Sequence, residues 1–303
     1  MRYFLLIAIV AVSLCVEIPF LPFSQVASNV LTPGTLEISN EEIYVTAKAL
    51  PTEVSGGNNV TLVFQVTNKA GYDLEGVGLD LYDPCVFNNG DWYVWRPGGG
   101  TLKSNRTVSN STTLKADPVT LDRDCELKFR VGYKGKFSLF QDIAVLTTSE
   151  YNTRLMQGTL NSLPISSSFS SSPLKISLTF TEEQPFLDGT STDVQINYVY
   201  TGSGFINVTR GGVEIKVPEN LINPSCKDYD YNSGTQTLSL NKELKFVSKR
   251  STPSICTFTA KASQPLDIKS LILTANYNYK IDGSIPITVR GTSTSQPSKT
   301  SGS

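Results

Sequence analysis

Apolar and polar residues alternate over much of the chain, and a period of two is the pattern of half-buried β-strands. In NVTLVFQVTN, residues 59–68, every second side chain from Val60 to Val66 is apolar and the residues between them are mostly polar. The same period recurs at residues 43–47 and 127–133, with turn-forming residues between the runs. Few segments have a helical period. The pattern therefore predicts an all-β protein.

The two halves of the chain repeat one plan. Each half has an opening strand, a turn with proline and glycine, an alternating strand, a strand that leads to a first cysteine, and a strand that carries a second cysteine. The stretch EGVGLDLYDPC at 75–85 matches GGVEIKVPENLINPSC at 211–226. A repeat of this length indicates tandem domains rather than a solenoid. We predict one domain over residues 36–150 and a second over residues 173–290.

Four of the five cysteines follow the repeat. The repeated plan pairs Cys85 with Cys125 and Cys226 with Cys256. These four cysteines, without the one in the N-terminal apolar segment, are an even number, which in an exported chain indicates disulfides. Zinc is the alternative, but the chain has neither a C-x-x-C pair nor a histidine. Cys125 and Cys256 fall in phase with the apolar residues of their strands, so we expect both to point toward the core.

An apolar segment at the N-terminus indicates export. One arginine precedes an apolar run over residues 3–16, which has the length of a signal-peptide core. Cleavage after Cys15 or after Ser28 would remove it, whereas retention would leave residues 3–23 as a membrane anchor. We therefore predict that residues 1–28 are a signal peptide or an N-terminal membrane anchor. The body of the protein is then extracytoplasmic, either secreted or anchored to the outer face of the cell membrane.

Two further segments and four sequons complete the organisation. Residues 151–172 form a predicted serine-rich linker, and residues 291–303 form a low-complexity tail that cannot bury a core. Asn-x-Ser/Thr triplets, which agree with export, make four asparagines candidate N-glycosylation sites. A chain rich in these residue types also produces such triplets by chance. The four are Asn59, Asn105, Asn110 and Asn207.

Composition excludes several classes of function. The formal net charge is −1, and no basic stripe indicates nucleic acid as a partner. The chain has no histidine, which removes Ser-His-Asp and Cys-His nucleophiles and most zinc or copper sites. A pair of carboxylates could still hydrolyse glycosides. Because small sandwiches lack the elements of a deep cleft, we expect no enzyme activity, no cofactor and no bound metal.

The first repeat resembles the CARDB-type and related immunoglobulin-like domains of archaeal and bacterial surface proteins. The family's pattern is a proline, a glycine turn, two alternating strands and an intervening V-x-N-x-G, for which this chain has VTNKAG at 66–71. The matching residues are Pro51, Gly56, Val60, Phe64, Val66, Asn68, Gly71, Val77 and Leu81. The second repeat keeps a looser version without the asparagine, at Pro185, Gly189, Val194, Ile196, Tyr198, Gly202 and Gly204. The resemblance implies two immunoglobulin-like β-sandwiches of an archaeal envelope protein and transfers no catalytic residue.

Two surface segments are candidate binding sites. The loop GDWYVWRPGGG, residues 90–100, carries both tryptophans of the chain, and aromatic side chains beside an arginine favour sugar stacking or a protein partner. One tryptophan could instead pack on the disulfide. The candidate binding residues are Trp92, Tyr93, Trp95 and Arg96.

A weaker candidate is a calcium loop in the second repeat. Asp228, Asp230 and Asn232 occupy alternate positions in KDYDYNSG, as at the start of such loops. Gly234 comes one place too late and Ser239 stands where the bidentate glutamate is needed, so an acidic hairpin turn is the simpler interpretation.

These observations predict a non-enzymatic protein of the cell envelope, either structural and adhesive or a protein-interaction module. One alternative is an accessory ectodomain of a membrane complex for transport, secretion or pilus assembly. Another is a glycan-binding module. The expected partners are envelope or membrane proteins and surface glycans, and the membrane is contacted only through the N-terminal segment.

Overall fold

A computed structural model describes residues 34–88 and 93–292. The predicted leader, Trp92 and all but two residues of the predicted tail lie outside the described residues. The first half contains β1 (Thr35–Ser39), β2 (Ile43–Leu50), β3 (Glu53–Ser55), β4 (Asn59–Asn68), β5 (Leu74–Asp83), β6 (Phe87–Asn88), β7 (Val94–Trp95), β8 (Thr101–Leu102), β9 (Thr107–Ala116) and β10 (Arg123–Leu146). Helix α1 (Thr148–Gln157) follows, and short 3-10 helices lie at Pro97–Gly100 and Leu160–Ser162.

The second half is also almost entirely strand. It contains β11 (Ser167–Phe169), β12 (Leu174–Phe180), β13 (Phe186–Leu187), β14 (Ser191–Tyr200), β15 (Phe205–Asn207), β16 (Val213–Lys216), β17 (Leu221–Cys226), β18 (Tyr229–Asn232), β19 (Thr237–Leu240), β20 (Phe246–Val247), β21 (Arg250–Ala260) and β22 (Leu266–Arg290). The predicted all-β class is confirmed, because alternation places apolar side chains on one face of each strand. In β4, for example, every second residue from Val60 to Val66 is fully buried.

The strands form three sheets. One five-stranded sheet has the order β1-β2-β4-β9-β6, and a second has the order β12-β14-β21-β17 with β20 beside β21. The third is a twelve-stranded sheet whose main path is β18-β19-β16-β22-β10-β5-β7. Each five-stranded sheet packs on this long sheet. Phe64 meets Phe129 edge-on at 5.3 Å in the first half, and the hydroxyls of Tyr198 and Tyr229 lie 2.6 Å apart in the second.

Two very long strands, β10 and β22, form the middle of the large sheet. They pair antiparallel without a break, from Arg123 opposite Val289 to Leu146 opposite Leu266. At about 3.3 Å per residue, 24 paired residues span on the order of 80 Å. Since β10 and β22 contribute to the sheet in both halves, the pairing crosses the expected domain boundary. The division at 36–150 and 173–290 stays a prediction.

The segment predicted as a linker contains regular structure. Helix α1 begins after Thr147, whose hydroxyl accepts a hydrogen bond from the Glu150 N–H, and ends at Gly158 in the left-handed conformation. Strand β11 then pairs with the second half of β10. The helix buries none of its residues, so the chain carries no apolar stripe that would have predicted it.

Both predicted disulfides are present. Cys85 is bonded to Cys125, and Cys226 is bonded to Cys256. Cys125 and Cys256 are buried, as the phase of their strands predicted. The first bridge joins Cys125 in β10 to Cys85 just after β5, and the second joins Cys256 in β21 to Cys226, the residue opposite it at the end of β17. Two disulfides agree with an oxidising, extracellular environment.

The first and last described residues lie at the same end of the molecule. Gly34 accepts a hydrogen bond from Ala49 and sits against Thr52. Thr288, near the end of β22, donates its N–H to the carbonyl oxygen of the same Thr52 at 3.0 Å. Within the described residues, no helix is long and apolar enough to cross a membrane.

Candidate functional site: a cationic groove

A groove of about 580 Å³ crosses the outer face of the large sheet at the middle of β10 and β22. Residues from both halves of the chain line it. We name it the cationic groove and define it by Arg96, Arg130, Lys134, Phe205, Asn207 and Lys280. It faces away from the core because these residues occupy the outward positions of their strands.

Glycines form the floor of the groove. Gly78 on β5 lies directly opposite Gly132 on β10, so two neighbouring strands have no side chain at this point. A Cβ atom at Gly78 would lie 2.4 Å from Nη1 of Arg96. The Arg96 guanidinium therefore lies across bare backbone, and the glycine is required for that position.

Two arginines of the groove are fixed by ion pairs. Arg96 Nη1 lies 2.9 Å from Asp80, and Arg130 Nε lies 2.6 Å from Asp282 in a two-point contact. The hydrogen bond to Asp282 raises the pKa of Arg130 above its usual value. The Arg130 guanidinium also lies 5.1 Å from the ring centre of Tyr82. These contacts orient the arginines but also offset part of their charge.

The two lysines of the groove, unlike its two arginines, form no ion pair with any described residue. Among the described residues, no carboxylate lies within ion-pair distance of Lys134 or Lys280. Lys136, two residues along β10, has no such partner either and lines an adjoining depression of about 400 Å³ that also includes Lys134. Glu75 lies opposite Lys134 in the pairing of β5 with β10, but the two form no ion pair, so the groove presents two lysines that lack an ion-pair partner in the described ranges, on a chain whose net charge is −1.

Short strand β15 forms the rim. It pairs with β22, with Phe205 opposite Lys280 and Asn207 opposite Asn278. The Phe205 side chain is 62% exposed, although a large apolar side chain gains free energy when it is covered. An aromatic ring, two amides and several cations thus surround one groove.

A buried carboxyl group supports the floor from beneath. Glu42, in the turn between β1 and β2, is fully buried, and its Oε1 accepts hydrogen bonds from the hydroxyls of Tyr72 and Tyr277. Asn40 donates to the hydroxyl of Tyr133 at 2.8 Å. We name Glu42, Tyr72, Tyr133 and Tyr277 the tyrosine cluster. Because Tyr133 also lines the groove, the cluster holds the strands of the floor in place.

The electrostatics of Glu42 follow from its burial. Desolvation raises the pKa of this carboxyl group above its ordinary value, while the hydrogen bonds from Tyr277 and Tyr72 act in the opposite direction. Its second oxygen, Oε2, has no hydrogen-bond partner among the described residues. Burial together with the nearby Glu42 charge raises the pKa of Tyr277, which stays a hydrogen-bond donor at neutral pH.

The predicted aromatic loop contributes to the groove through one residue. Trp92 lies outside the described residues. Tyr93 stacks on Phe64 with ring centres 5.9 Å apart, and Trp95 is half-buried on the core where it pairs with β5. Arg96 is the member of this loop that lines the cationic groove. The described rings of the loop therefore pack inward, and a role in binding stays a prediction.

The predicted calcium residues are engaged with other side chains. Asp228 accepts a hydrogen bond from Ser254 and forms an ion pair with Lys242 at 2.8 Å. Asp230 lies 3.4 Å from Arg210, and Asn232 caps the following turn. Within residues 34–88 and 93–292, no three acidic or cysteine side chains are grouped closely enough to hold a metal ion.

All four sequon asparagines are exposed. Asn110 donates its amide to the hydroxyl of Tyr93 at 2.9 Å, and Asn207 lies on the rim of the cationic groove. Whether any of the four carries a glycan stays a prediction.

Sequence reasoning missed the lysines of the groove. The signal was present in β10, where outward positions carry Lys128, Arg130, Lys134 and Lys136. The alternation shows that these residues share one face, but it does not show that β22 brings Lys280 beside them.

The fold and the groove define an all-β, disulfide-bonded protein of sandwich-like sheets. No protein-family model matches the sequence, and no curated protein sequence is significantly similar to it. One similar solved structure is the Mu homology domain of Fcho1 from Danio rerio with a bound Eps15 peptide. It is 13% identical, the match covers 75% of this chain and 86% of that chain, and the TM-score is 0.24. A likeness at this level carries no argument about fold or function.

Proposed function

We propose that the protein is a non-enzymatic extracytoplasmic module that provides a rigid interaction surface at the cell envelope. The observation that carries this proposal is the unbroken pairing of β10 and β22 through both halves, with a disulfide in each half. Long uninterrupted pairing resists bending between the halves, and disulfides persist outside the cytoplasm. These properties suit a spacer that presents a binding face.

The distribution of charged groups supports a binding role over catalysis. Asp80 and Asp282, two carboxylates beside the groove, are each held by an arginine. A glycosidase needs two carboxyl groups that are free to act on the substrate, and an arginine engages each of these two. The relationship to CARDB-type surface domains is part of this proposal and rests on the sequence resemblance.

The proposal can be tested by labelling intact cells that express the full chain. A membrane-impermeant amine reagent should label the protein, and peptide mapping without reductant should recover the Cys85–Cys125 and Cys226–Cys256 peptides. A cytosolic protein serves as the unlabelled control. Recovery of free thiols in the cytoplasmic fraction would contradict the proposal. A membrane protein recovered with it in constant ratio after cross-linking would identify an accessory ectodomain of a complex.

A further inference from the structure

We propose that the cationic groove binds an acidic polysaccharide, a ligand class beyond the proposed function of a rigid envelope module. The first support is charge. Arg96, Arg130, Lys134 and Lys280 line the groove, and Asp80 and Asp282 pair with the two arginines, which leaves a local excess of two positive charges on the lysines. Because Lys134 and Lys280 lack carboxylate partners among the described residues, a ligand can neutralise them without breaking an existing ion pair.

The arrangement of the other groups favours a sugar. The exposed ring of Phe205 offers an apolar face on which the C–H side of a sugar ring can stack, and its edge position on β15 leaves that face open. Asn207 and Asn278 provide amide donors and acceptors for hydroxyl groups. Gly132, where the nearest atom to an added Cβ would be 3.7 Å away, leaves part of the floor open for a flat ring beside the Arg96 guanidinium. The groove thus offers stacking, neutral hydrogen bonds and cations together.

An acidic peptide is less well matched by the same geometry. Extended peptides gain most of their affinity by adding a strand to a free sheet edge. The floor strand β10 is paired with β22 on one side and with β5 on the other, so its backbone groups are occupied along the groove. A peptide would be held by its side chains alone.

The test uses the full chain and three defined probes: polygalacturonate, its methyl-esterified form, and poly-glutamate. Binding is measured by calorimetry at low ionic strength. Polygalacturonate should bind, and the methyl ester, which lacks the charge, should not. Lys134→Gln with Lys280→Gln should weaken polygalacturonate binding about tenfold, because two exposed charge pairs, each of which contributes little, are lost. Higher salt should weaken it further.

Lys245→Gln with Lys261→Gln is the matched control. Both residues are exposed, lie outside the groove lining, have no ion-pair partner among the described residues, and give the same change in net charge. This double variant should bind polygalacturonate as the wild type does. Equal losses in the two double variants would overturn the groove as the site, because they would indicate a response to net charge alone.

Phe205→Ala separates the two ligand classes. It should weaken polygalacturonate binding severalfold and leave any binding of poly-glutamate unchanged, because only the sugar stacks on the ring. Tighter binding of poly-glutamate, with no effect of the phenylalanine change, would overturn the polysaccharide and identify an acidic-peptide site. Failure to bind polygalacturonate at all would also overturn the inference. The assay uses purified protein, so either failure leaves the extracytoplasmic placement to its own test.

Discussion

The hydroxyl of Tyr277 donates a 2.6 Å hydrogen bond to Oε1 of Glu42, a residue 235 positions earlier in the chain. This contact connects the opening hairpin of the first half with the long strand of the second. The contact is buried. A second donor, the hydroxyl of Tyr72 just before β5, bonds to the same Oε1 atom. The tyrosine cluster therefore stabilises the place where the two halves share one sheet.

Removing one donor from the cluster should destabilise the fold. For Tyr277→Phe we expect the free energy of unfolding to fall by about 1.5–3 kcal/mol, because a buried hydrogen bond to an ionisable group is lost. The midpoint of urea unfolding measures the effect. Tyr231→Phe is the control, since Tyr231 is 41% exposed and its hydroxyl has no hydrogen bond in the described residues. Similar midpoints for the two variants would contradict the role given to Glu42.

The cluster should also make stability depend on pH. The folded-state pKa of Glu42 is raised above 4.5, so this group stabilises the fold fully below that pH and loses its contribution as the pH rises through the folded-state pKa. Glutamine does not titrate. The unfolding free energy of Glu42→Gln, compared with that of the wild type, should therefore move in favour of the variant as the pH rises above 4.5.

Urea unfolding at several pH values measures this difference. Glu243→Gln, which removes the same charge at an exposed position, is the control for the change in net charge. A difference for Glu42→Gln that does not change with pH would show that this carboxyl group has the same pKa in the folded and unfolded chain.

Two glycines of β10 should respond in opposite ways to alanine. A Cβ at Gly135 would lie 2.3 Å from the ring of Tyr277, its partner across the sheet, whereas the nearest atom to a Cβ at Gly132 is 3.7 Å away. We expect Gly135→Ala to destabilise by about 1–3 kcal/mol through overpacking. Gly132→Ala should be neutral or slightly stabilising, since it restricts the unfolded chain. Thermal melting of both variants checks the contrast, and equal shifts would refute it.

Each disulfide should contribute comparably to stability. The bridges close segments with separations of 40 and 30 residues, for which chain entropy gives about 4 kcal/mol each. The double serine variants at Cys85 with Cys125 and at Cys226 with Cys256 should each unfold at lower urea concentration. Reduced wild-type protein should unfold at least as early as either variant. A variant with an unchanged midpoint would show that its bridge does not constrain the unfolded chain.

Local alternation was enough to predict strands but not their extent. The residues Lys134 to Lys136 interrupt the apolar pattern like a turn, yet β10 passes through them without a break. The reason is non-local: Gly135 leaves space for the Tyr277 ring from β22. A single sequence carries no signal that two strands so far apart are partners, because period-two patterns are alike in every strand of the sheet.

The same limit applies to the candidate site. Inward positions such as Cys125 and Phe129 were predictable because one face of each strand must be buried. The cationic groove was not, since Lys134 and Lys280 come together only when β10 pairs with β22. The sequence instead favours the aromatic loop as a binding site, because both tryptophans of the chain lie there. Trp95 and Tyr93 have a packing role that composition does not distinguish from a binding role.

The shared position of Gly34 and Thr288 at Thr52 has a mechanical consequence. A force applied between the two ends of the described chain would act at one end of the molecule, near Thr52. It would peel the last pairs of β22 from β3 and β10 before any tension reached the far half. The second half would therefore bear no force. It would stay folded, with its disulfide intact, while the end near Thr52 unfolds. Separation of β22 from β10 would pass Ile287, opposite the disulfide-bonded Cys125, before it reached Lys280 in the cationic groove.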